Sequence, residues 1–339
     1  MKKYLFWNNK GGTGKTSLCF QALVGYAMDN PKSRVLAVDL CPQANLSELL
    51  LGGLEGNGGQ NLSVLWSKTP RCSIGGYFEL RFSNPYTMPA GVSLTNYTTI
   101  PHQYNGNIPP NVTLISGDRI VELQANFMSS LAMAQSPTID TYMAVVTWLE
   151  DLLKQFENDF DILFIDANPS FAIYTQIAIA ASDELIVPVM ADDSSRRALQ
   201  NVLSLVYNIN LPSPSYQSYT FNQKMTNNNH ALPKIHMIVK NRITQYTGSA
   251  AAYRAVLAVI EREISAIQAH YPQHFDNINM IKDVRDFQST GTTAFAEGMS
   301  FKTLLGDKRI RQIDGQNVQM DKQNIENCIN SMQTIINDL

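Results

Sequence analysis

The amino-acid sequence predicts an α/β protein whose mostly parallel, doubly wound sheet is flanked by helices on both faces. Short apolar runs alternate with stretches of helical periodicity, which is typical of parallel strands joined by crossover helices. The run Ile162-Leu163-Phe164-Ile165 is apolar at every position, as expected of a strand buried on both faces. A glycine-rich turn separates the first apolar run from the first helical stretch. In folds of this class a ligand binds at the carboxyl ends of the strands.

The predicted strands and helices follow one pattern, so we expect a single domain over residues 1–339. The first helix should follow the glycine-rich turn and end near Met28, and the amphipathic segment Asp321–Leu339 should form a further helix. Lys322 is the only basic residue on the polar face of that segment, which favours packing on the core over binding at a membrane surface. The predicted strands are Tyr4–Trp7, Arg34–Asp39, Val112–Ile115, Ile162–Asp166, Leu185–Met190, Ile235–Asn241 and Asn279–Ile281.

Two segments interrupt this pattern. Residues 52–110 are rich in glycine, asparagine, proline and aromatic residues and show little helical periodicity. We interpret them as a structured insertion in the domain. Residues 211–233 are rich in proline, serine and asparagine, which predicts an exposed loop.

Composition limits the classes of protein to which the chain can belong. With 44% hydrophobic and 16% charged residues, the sequence is that of a globular protein, and its net charge of −3 restricts any nucleic-acid surface to a local patch. No apolar run approaches the roughly 18 residues that span a bilayer, so we expect a cytoplasmic protein without membrane contact. The cysteines are too scattered for a disulfide framework or a shared metal cluster, and we expect free thiols at Cys19, Cys41, Cys72 and Cys328.

The glycine-rich turn, Lys10-Gly11-Gly12-Thr13-Gly14-Lys15-Thr16, has the composition of a phosphate-binding loop. Glycines let consecutive backbone N–H groups point at phosphate oxygens, and the dipole of the following helix favours an anion there. Lys15 would reach the β- and γ-phosphates, and the Thr16 hydroxyl would bind Mg²⁺. The strict motif has a glycine in place of Asn9, so this loop is a variant form. The candidate nucleotide-binding residues are Lys10, Gly11, Gly12, Thr13, Gly14, Lys15, Thr16 and Ser17.

This variant loop resembles that of the ParA/MinD family of P-loop ATPases, which carries an additional lysine at the position of Lys10. The preceding Asn8-Asn9 is similar to the ParA branch of the family. Three later segments resemble the first switch, the second acidic motif and the strand that follows it, and they are Asp39–Ser47, Asp161–Ser170 and Ala181–Ala191. The likeness covers residues 1–50 and 111–300, whereas residues 52–110 are longer than the family pattern predicts.

The resemblance implies that ATP and Mg²⁺ are the cofactors and that Lys10 crosses a dimer interface to the partner's nucleotide. Asp39 and Asp166, at strand ends, would then hold Mg²⁺ through water. Asn241 is a candidate adenine contact, although an asparagine at a strand end is as often a turn residue. The implied partners are a second copy of the chain, non-specific DNA and a ParB-like or other activating protein. The candidate catalytic residues are Lys10, Lys15, Asp39, Cys41 and Asp166.

Cys41 departs from the family pattern because it replaces a carboxylate of the first switch that helps to position the attacking water. A neutral thiol is a poor hydrogen-bond acceptor, so we expect nucleotide binding with slow hydrolysis. The leading hypothesis is an ATP-gated dimeric switch that partitions DNA or positions another cargo, in the cytoplasm or at the nucleoid. The alternative is a regulatory scaffold with little turnover that recognises a protein partner through residues 52–110. A redox or metal-cluster enzyme of the same superfamily would need paired cysteines, which this sequence lacks.

Three further groups of residues have weaker functional interpretations. The spacing of His270 and His274 is that of a helical metal pair, but Pro272 interrupts the helix and surface histidines are the simpler interpretation. Arg196-Arg197, at the start of a predicted helix, would face solvent, DNA or a partner subunit. The basic stretch that could contact DNA phosphates consists of Lys302, Lys308, Arg309 and Arg311.

Overall fold

The computed structural model describes residues 1–243, 250–276, 280–307 and 310–339. Within them, seven parallel strands form one sheet in the order β3-β2-β4-β1-β5-β6-β7, which confirms the predicted fold class. These strands are β1 (Lys2–Phe6), β2 (Val35–Leu40), β3 (Val112–Ile115), β4 (Ile162–Ala167), β5 (Glu184–Val189), β6 (Lys234–Ile243) and β7 (Ile281–Arg285). A separate antiparallel hairpin is formed by β8 (Ile310–Ile313) and β9 (Gln316–Gln319).

Helices cover both faces of the sheet. Neighbouring residues of β1 point to opposite faces, so Leu5 belongs to one apolar core cluster and Tyr4 and Phe6 belong to the other. Among the described residues, no helix combines the length and the apolar character needed to cross a bilayer. The helices are α1 (Lys15–Asp29), α2 (Asn45–Leu50), α3 (Gly58–Trp66), α4 (Ile74–Ser83), α5 (Ile120–Ala132), α6 (Thr141–Val146), α7 (Trp148–Gln155), α8 (Ile173–Ala180), α9 (Asp193–Tyr207), α10 (Phe221–Asn227), α11 (Ala250–His270), α12 (Gln288–Ala296), α13 (Phe301–Leu305) and α14 (Lys322–Ile336).

The last strand and the hairpin differ from the sequence prediction. The predicted strand Asn279–Ile281 shares only Ile281 with β7, and Asn279 lies outside the described residues. The β8–β9 hairpin was not predicted. Its turn contains Asp314 and Gly315 at φ values of 48° and 75°, and an Asp-Gly pair with two positive φ angles is a favoured two-residue hairpin turn.

Residues 52–110 contain two helices, α3 and α4, although the sequence shows little helical periodicity there. Ser73 caps α4 by accepting a hydrogen bond from the Gly76 N–H at 3.1 Å. A side chain at Gly76 would lie 2.1 Å from the Arg71 carbonyl oxygen, so the glycine permits a close backbone approach. Tyr77 and Phe78 of α4 are fully buried in the core. That residues 52–110 are an insertion in the family pattern stays a prediction.

Residues 211–233, predicted as an exposed loop, also contain helical structure. They include α10, whose Phe221 and Met225 are buried in the core. These two residues are four positions apart, so they lie on one face of the helix. The apolar pair was the available signal, and the surrounding proline, serine and asparagine residues obscured it.

The predicted amphipathic helix near residue 339 forms as α14 and packs on the core. Asp321 caps it by accepting hydrogen bonds from the N–H groups of Gln323 and Asn324, at 2.7 and 3.3 Å. The helix lies against α1, where a side chain at Gly25 would meet the Ile336 Cδ1 at 2.4 Å. The buried residues of α14 are Ile325, Cys328, Met332, Ile335 and Ile336.

Truncation of a buried residue of α14 should destabilise the whole protein. Ile335 is fully buried, so Ile335→Ala should lower the free energy of unfolding by about 2–5 kcal/mol through lost burial and the cavity left behind. Asn330→Ala, on the exposed face of the same helix, should change it by less than about 0.5 kcal/mol. Urea denaturation of both variants measures the difference, and equal stability of the two would contradict this packing.

Candidate functional site

The predicted phosphate-binding loop joins β1 to α1 at the carboxyl edge of the sheet. β1 lies between β4 and β5, where successive crossover connections turn in opposite directions, and this is the position at which such sheets bind ligands. Gly12 and Gly14 have φ values of 75° and 86°, in the left-handed region that glycine adopts readily. A side chain at Gly14 would lie 2.1 Å from the Asn241 amide nitrogen, so no other residue fits there without displacing Asn241.

Two asparagines fasten the start of the loop to the sheet. The Asn8 amide donates to the Pro188 carbonyl at 2.6 Å, and its oxygen accepts from the Lys10 N–H at 3.1 Å. Asn9 donates to the Pro169 carbonyl at 3.0 Å. The residue that departs from the strict glycine motif therefore ties the loop to the segment after β4.

The loop borders a cavity of about 410 Å³ that also contacts the segments following β2 and β4 and the end of β6. Lys15 is buried beside it, and its ammonium donates to the Lys10 carbonyl at 2.9 Å. Burial lowers the pKa of Lys15. Of the residues predicted from sequence, Gly11, Gly12, Gly14, Lys15, Thr16, Ser17 and Cys41 line the cavity, while Thr13, Asp39, Asp166 and Asn241 are buried around it.

Asp39 and Asp166 lie side by side in the register of the parallel strands β2 and β4. Both side chains are buried next to the cavity. The Thr16 hydroxyl donates to Asp166 Oδ2 at 2.7 Å. The other oxygen of Asp166, Oδ1, is buried and has no hydrogen-bond donor among the described residues. A hydroxyl and two carboxylates are the hard oxygen ligands that Mg²⁺ prefers, so this group of residues fits that ion.

Burial raises the pKa values of both carboxyl groups, and for Asp166 the charge of Asp39 adds to the rise. For Asp166, burial and then the Asp39 charge raise the pKa to about 8, although Thr16 and Lys15 oppose the rise. For Asp39, burial raises the pKa to about 6 in spite of hydrogen bonds from Ser47 and Cys41. Without a cation, the pair therefore retains a proton near neutral pH.

Ser47 is a site residue to which the sequence analysis gave no role. Its N–H and its hydroxyl both donate to Asp39 Oδ2, at 2.9 and 2.8 Å, and its hydroxyl oxygen accepts from the Gly117 N–H at 2.8 Å. A side chain at Gly117 would lie 2.9 Å from the Asp39 carboxyl carbon. Ser47 thus orients Asp39 and ties the segment after β2 to the segment after β3.

Cys41 lies at the edge of the cavity and is 7% exposed. Burial, followed by the charges of Asp39 and Asp166, raises the pKa of its thiol to about 12. The thiol is therefore neutral near pH 7. All four cysteines are buried free thiols, as expected from their spacing.

Lys10 forms contacts within its own chain. Its ammonium donates to both carboxylate oxygens of Asp192, at 2.8 and 2.6 Å, and to the Ser195 hydroxyl at 3.2 Å. Burial alone would raise the pKa of Asp192, but hydrogen bonds from Lys10 and from Ser195 and Ser194 bring it down to about 2. Asp192 also caps α9 by accepting from the Ser195 N–H. No local pattern in the sequence indicates that these residues meet Lys10.

Asn241 supports the loop from behind. Its amide nitrogen donates to the Thr13 carbonyl at 2.9 Å, and its oxygen accepts from the Arg242 N–H at 2.9 Å. Arg242, which the sequence analysis did not single out, lines the cavity at a φ of 59°. The adenine contact predicted for Asn241 stays a prediction.

The remaining candidates lie away from the cavity. His270 ends α11, whereas His274 lies in a short 3₁₀ turn with its ring 4.6 Å from that of Tyr207. Both arginines of the Arg196-Arg197 pair contact Asp193. In the basic stretch, Lys302 pairs with Asp29 and Arg311 pairs with Glu297 and Asp307, while Lys308 and Arg309 lie outside the described residues.

Comparison with known proteins gives consistent matches. Residues 1–217 match the family model AAA_31, described as an AAA domain. The chain is 26% identical over 279 residues to the cell division protein PomZ of Myxococcus xanthus, covering 80% of this chain and 64% of that one. It is 25% identical over 202 residues to the virulence plasmid ParA family protein pGP5-D of Chlamydia psittaci, covering 60% and 62%. The chain thus spans a little under two thirds of the length of these relatives.

Two solved structures share the fold over nearly the whole chain. A putative plasmid partition protein from Borrelia burgdorferi bound to AMPPNP has a TM-score of 0.57 at 14% identity, covering 100% of this chain and 99% of that one. An ATP complex of a substituted McdA from Cyanothece has a TM-score of 0.55 at 15% identity, covering 99% and 96%. At these identities the likeness establishes the fold.

The buried acidic pair should give the metal-free protein a pH-dependent stability. The raised pKa means that the folded state holds the Asp166 proton more tightly than the unfolded state, whose pKa is about 3.9. Stability should therefore fall as pH rises from about 4 to about 8. Asp166→Asn removes this loss of stability. The free energy of unfolding of the variant, relative to that of the unsubstituted protein, should therefore rise between about pH 5 and pH 8. Thermal unfolding in chelator tests this, and a constant difference would contradict it.

Proposed function

Because the chain belongs to the AAA-domain family and is a P-loop ATPase of the ParA/MinD type, we propose that it binds ATP and Mg²⁺, hydrolyses ATP slowly and acts as a dimeric positioning switch. The observation that carries the proposal is the joint placement of the glycine loop, Lys15, Thr16 and the Asp39–Asp166 pair around one cavity. The proposal that the switch positions DNA or another cargo is supported by the names of two relatives of this chain. One is named a cell division protein and the other a plasmid ParA family protein.

In this proposal the loop binds the triphosphate and the acidic pair holds the metal. Inward-facing N–H groups of the loop and the Lys15 ammonium neutralise the β- and γ-phosphates. The Thr16 hydroxyl and the two carboxylates would hold Mg²⁺, whose charge would take the place of the proton that the pair otherwise retains. The metal supplies charge neutralisation at the phosphates. Binding ATP–Mg²⁺ is thus coupled to relief of repulsion between Asp39 and Asp166.

Dimerisation is proposed to depend on an exchange of partners by Lys10. In the single chain its charge is neutralised by Asp192 at the start of α9. A lysine that reaches a nucleotide in another subunit must leave this carboxylate. The partner's triphosphate carries more negative charge than one carboxylate, so ATP favours the exchange and its loss by hydrolysis reverses it. Asp192 thereby sets the threshold for assembly.

The proposed partners beyond a second copy are DNA and an activating protein. Part of the basic stretch is already engaged, because Arg311 is mostly buried between Glu297 and Asp307 and Lys302 pairs with Asp29. DNA binding through phosphates would therefore rest on other cations of the dimer, and it would weaken steeply with salt. An activating protein, ParB-like or otherwise, would supply the water-orienting group that Cys41 does not.

A second candidate function is a nucleotide-gated scaffold with little turnover. Two large apolar side chains of residues 52–110 are exposed, Leu54 at 63% and Val64 at 53%. Exposed apolar residues that lie together can form a protein-binding surface. This segment contacts the site through Trp66, whose indole donates to the Gly117 carbonyl at 2.9 Å. A partner bound to this segment would therefore be connected through Trp66 to Gly117, which also supports Asp39 through Ser47.

Substitution of Lys10 should separate nucleotide binding from dimerisation. Lys10→Ala should leave ATP affinity nearly unchanged, because Lys15 serves the chain's own phosphates, and it should abolish the ATP-dependent dimer in light scattering. Asp192→Asn retains a capping side chain for α9 but releases Lys10, so it should lower the ATP concentration needed for half-maximal dimerisation.

Lys15→Ala is the matched control for that experiment. It should abolish ATP binding and, with it, dimerisation, whereas Lys10→Ala loses only the second. A chain that stays monomeric at saturating ATP–Mg²⁺ would contradict the dimeric switch, and tight ATP binding by Lys15→Ala would contradict the proposed role of the loop.

Cys41→Asp should accelerate ATP hydrolysis. A carboxylate accepts a hydrogen bond from the attacking water, whereas the thiol is neutral because its pKa is raised to about 12. Since a positioned base contributes about 10²–10⁴-fold, the turnover should rise by about tenfold or more in a phosphate-release assay at saturating ATP–Mg²⁺.

Cys41→Ser controls for the change in size and reactivity at this position. It removes the thiol without adding a carboxylate, so its turnover should rise less than that of Cys41→Asp. If Cys41→Asp binds ATP normally and hydrolyses it no faster, the explanation of slow turnover is wrong. The scaffold function would then be the better account of the site.

A further inference from the structure

Three side chains of the types that bind metals lie together at the amino ends of the strands. This is the end of the sheet opposite the nucleotide loop. Glu184 is the first residue of β5, His236 is the third residue of β6, and Asp276 lies between α11 and β7. In a parallel sheet these positions lie near the amino ends of the strands, whereas the phosphate-binding loop lies at the carboxyl ends. The cluster is therefore separate from the site described above.

The three ligand atoms lie close together around one ring nitrogen. His236 Nδ1 is 2.7 Å from Glu184 Oε2 and 2.8 Å from Asp276 Oδ2, and all three atoms lie within 4.8 Å of one another. The other ring nitrogen, Nε2, is 2.9 Å from the Asp338 carbonyl oxygen. A carbonyl only accepts, so Nε2 carries a hydrogen, and Nδ1 is left to face the two carboxylates.

A single proton on Nδ1 does not satisfy both carboxylates. If Nδ1 is protonated, its one hydrogen points to Asp276 Oδ2. Glu184 Oε2 is then a buried acceptor without a hydrogen-bond donor among the described residues, even though it lies 2.7 Å from Nδ1. A buried acceptor without a donor costs about 1–3 kcal/mol. A cation at the centre would instead accept lone pairs from all three atoms.

We propose that Glu184, His236 and Asp276 form a binding site for a divalent transition-metal ion of the zinc class. One imidazole nitrogen and two carboxylate oxygens are zinc ligands, and a water in the fourth position completes a tetrahedron. Metal–ligand bonds of about 2.0–2.2 Å require the three ligand atoms to move apart by roughly 0.5 Å. The nitrogen ligand discriminates against Mg²⁺, which prefers oxygen.

The surroundings of His236 are those of a metal-binding histidine. Such histidines donate their second ring N–H to a carbonyl or carboxylate, which fixes the ring orientation, and the Asp338 carbonyl has that position here. The Tyr4 ring packs at 5.3 Å from the imidazole, and its hydroxyl donates to the Leu339 carbonyl at 2.9 Å. A bound ion would therefore join β5, β6 and the segment before β7 to the residues that follow α14.

Metal uptake by the full-length chain tests the proposal. Protein stripped with chelator is titrated with Zn²⁺ in excess Mg²⁺, which occupies the oxygen sites, and Co²⁺ provides a visible absorption spectrum of the coordination. The unsubstituted protein should bind one Zn²⁺ at this site and gain thermal stability. Asp276→Asn, at an exposed position, should weaken zinc binding by at least about tenfold. His236→Gln should abolish both the binding and the Co²⁺ spectrum.

The nucleotide site provides the control. Asp166→Asn should retain zinc binding and its stabilising effect, because Asp166 is not part of this cluster. If the unsubstituted protein binds no more Zn²⁺ than Asp276→Asn, or if Asp166→Asn loses the binding instead, the proposal is wrong and the triad holds only protons. Neither result bears on the proposed ATP-dependent switch.

Discussion

The structure depends most on the placement of two carboxylates side by side in the interior. Asp39 and Asp166 are partners in the β2–β4 ladder and are almost completely buried. Two adjacent buried acids cannot both be charged without a compensating cation. The buried lysine beside them, Lys15, is itself made less basic by burial. A site of this kind is stable as a protonated pair or with a metal ion and phosphates bound, which makes it sensitive to the ligand.

Hydrogen bonds connect the acidic pair and the loop to the neighbouring segments of the chain. Ser47 connects Asp39 to the segment after β3, and Thr16 connects Asp166 to the start of α1. Asn9 connects the loop to Pro169 in the segment after β4. A change in the charge of Asp39 and Asp166 would therefore affect the segments after β2, β3 and β4 together. The segments after β2 and β4 line the cavity, and the segment after β4 holds Asn9, the residue next to Lys10. Ligand binding and the proposed release of Lys10 from Asp192 would therefore involve neighbouring parts of the chain.

The sequence predicted the sheet and the position of the glycine-rich turn well because both have local signals. Strands buried on both faces are apolar at nearly every position, and the loop has glycines where positive φ angles are needed. The helix α4 was missed because Gly75 and Gly76 lower helix propensity, and only the tertiary contacts with Arg71 and Asp118 explain why glycines are present. Contacts between residues far apart in sequence had no local signal, and the pairing of Lys10 with Asp192 is the clearest example.

The replacement at Cys41 has a physical consequence for the resting state as well as for hydrolysis. A carboxylate there would be a third acid beside Asp39 and Asp166, with Lys15 as the buried cation next to them. The thiol adds no charge because its pKa is raised by burial and by those same two acids. The nucleotide-free chain therefore avoids a further repulsion that a carboxylate would impose at this position. The replacement that is proposed to slow hydrolysis would thus also spare the nucleotide-free site this repulsion.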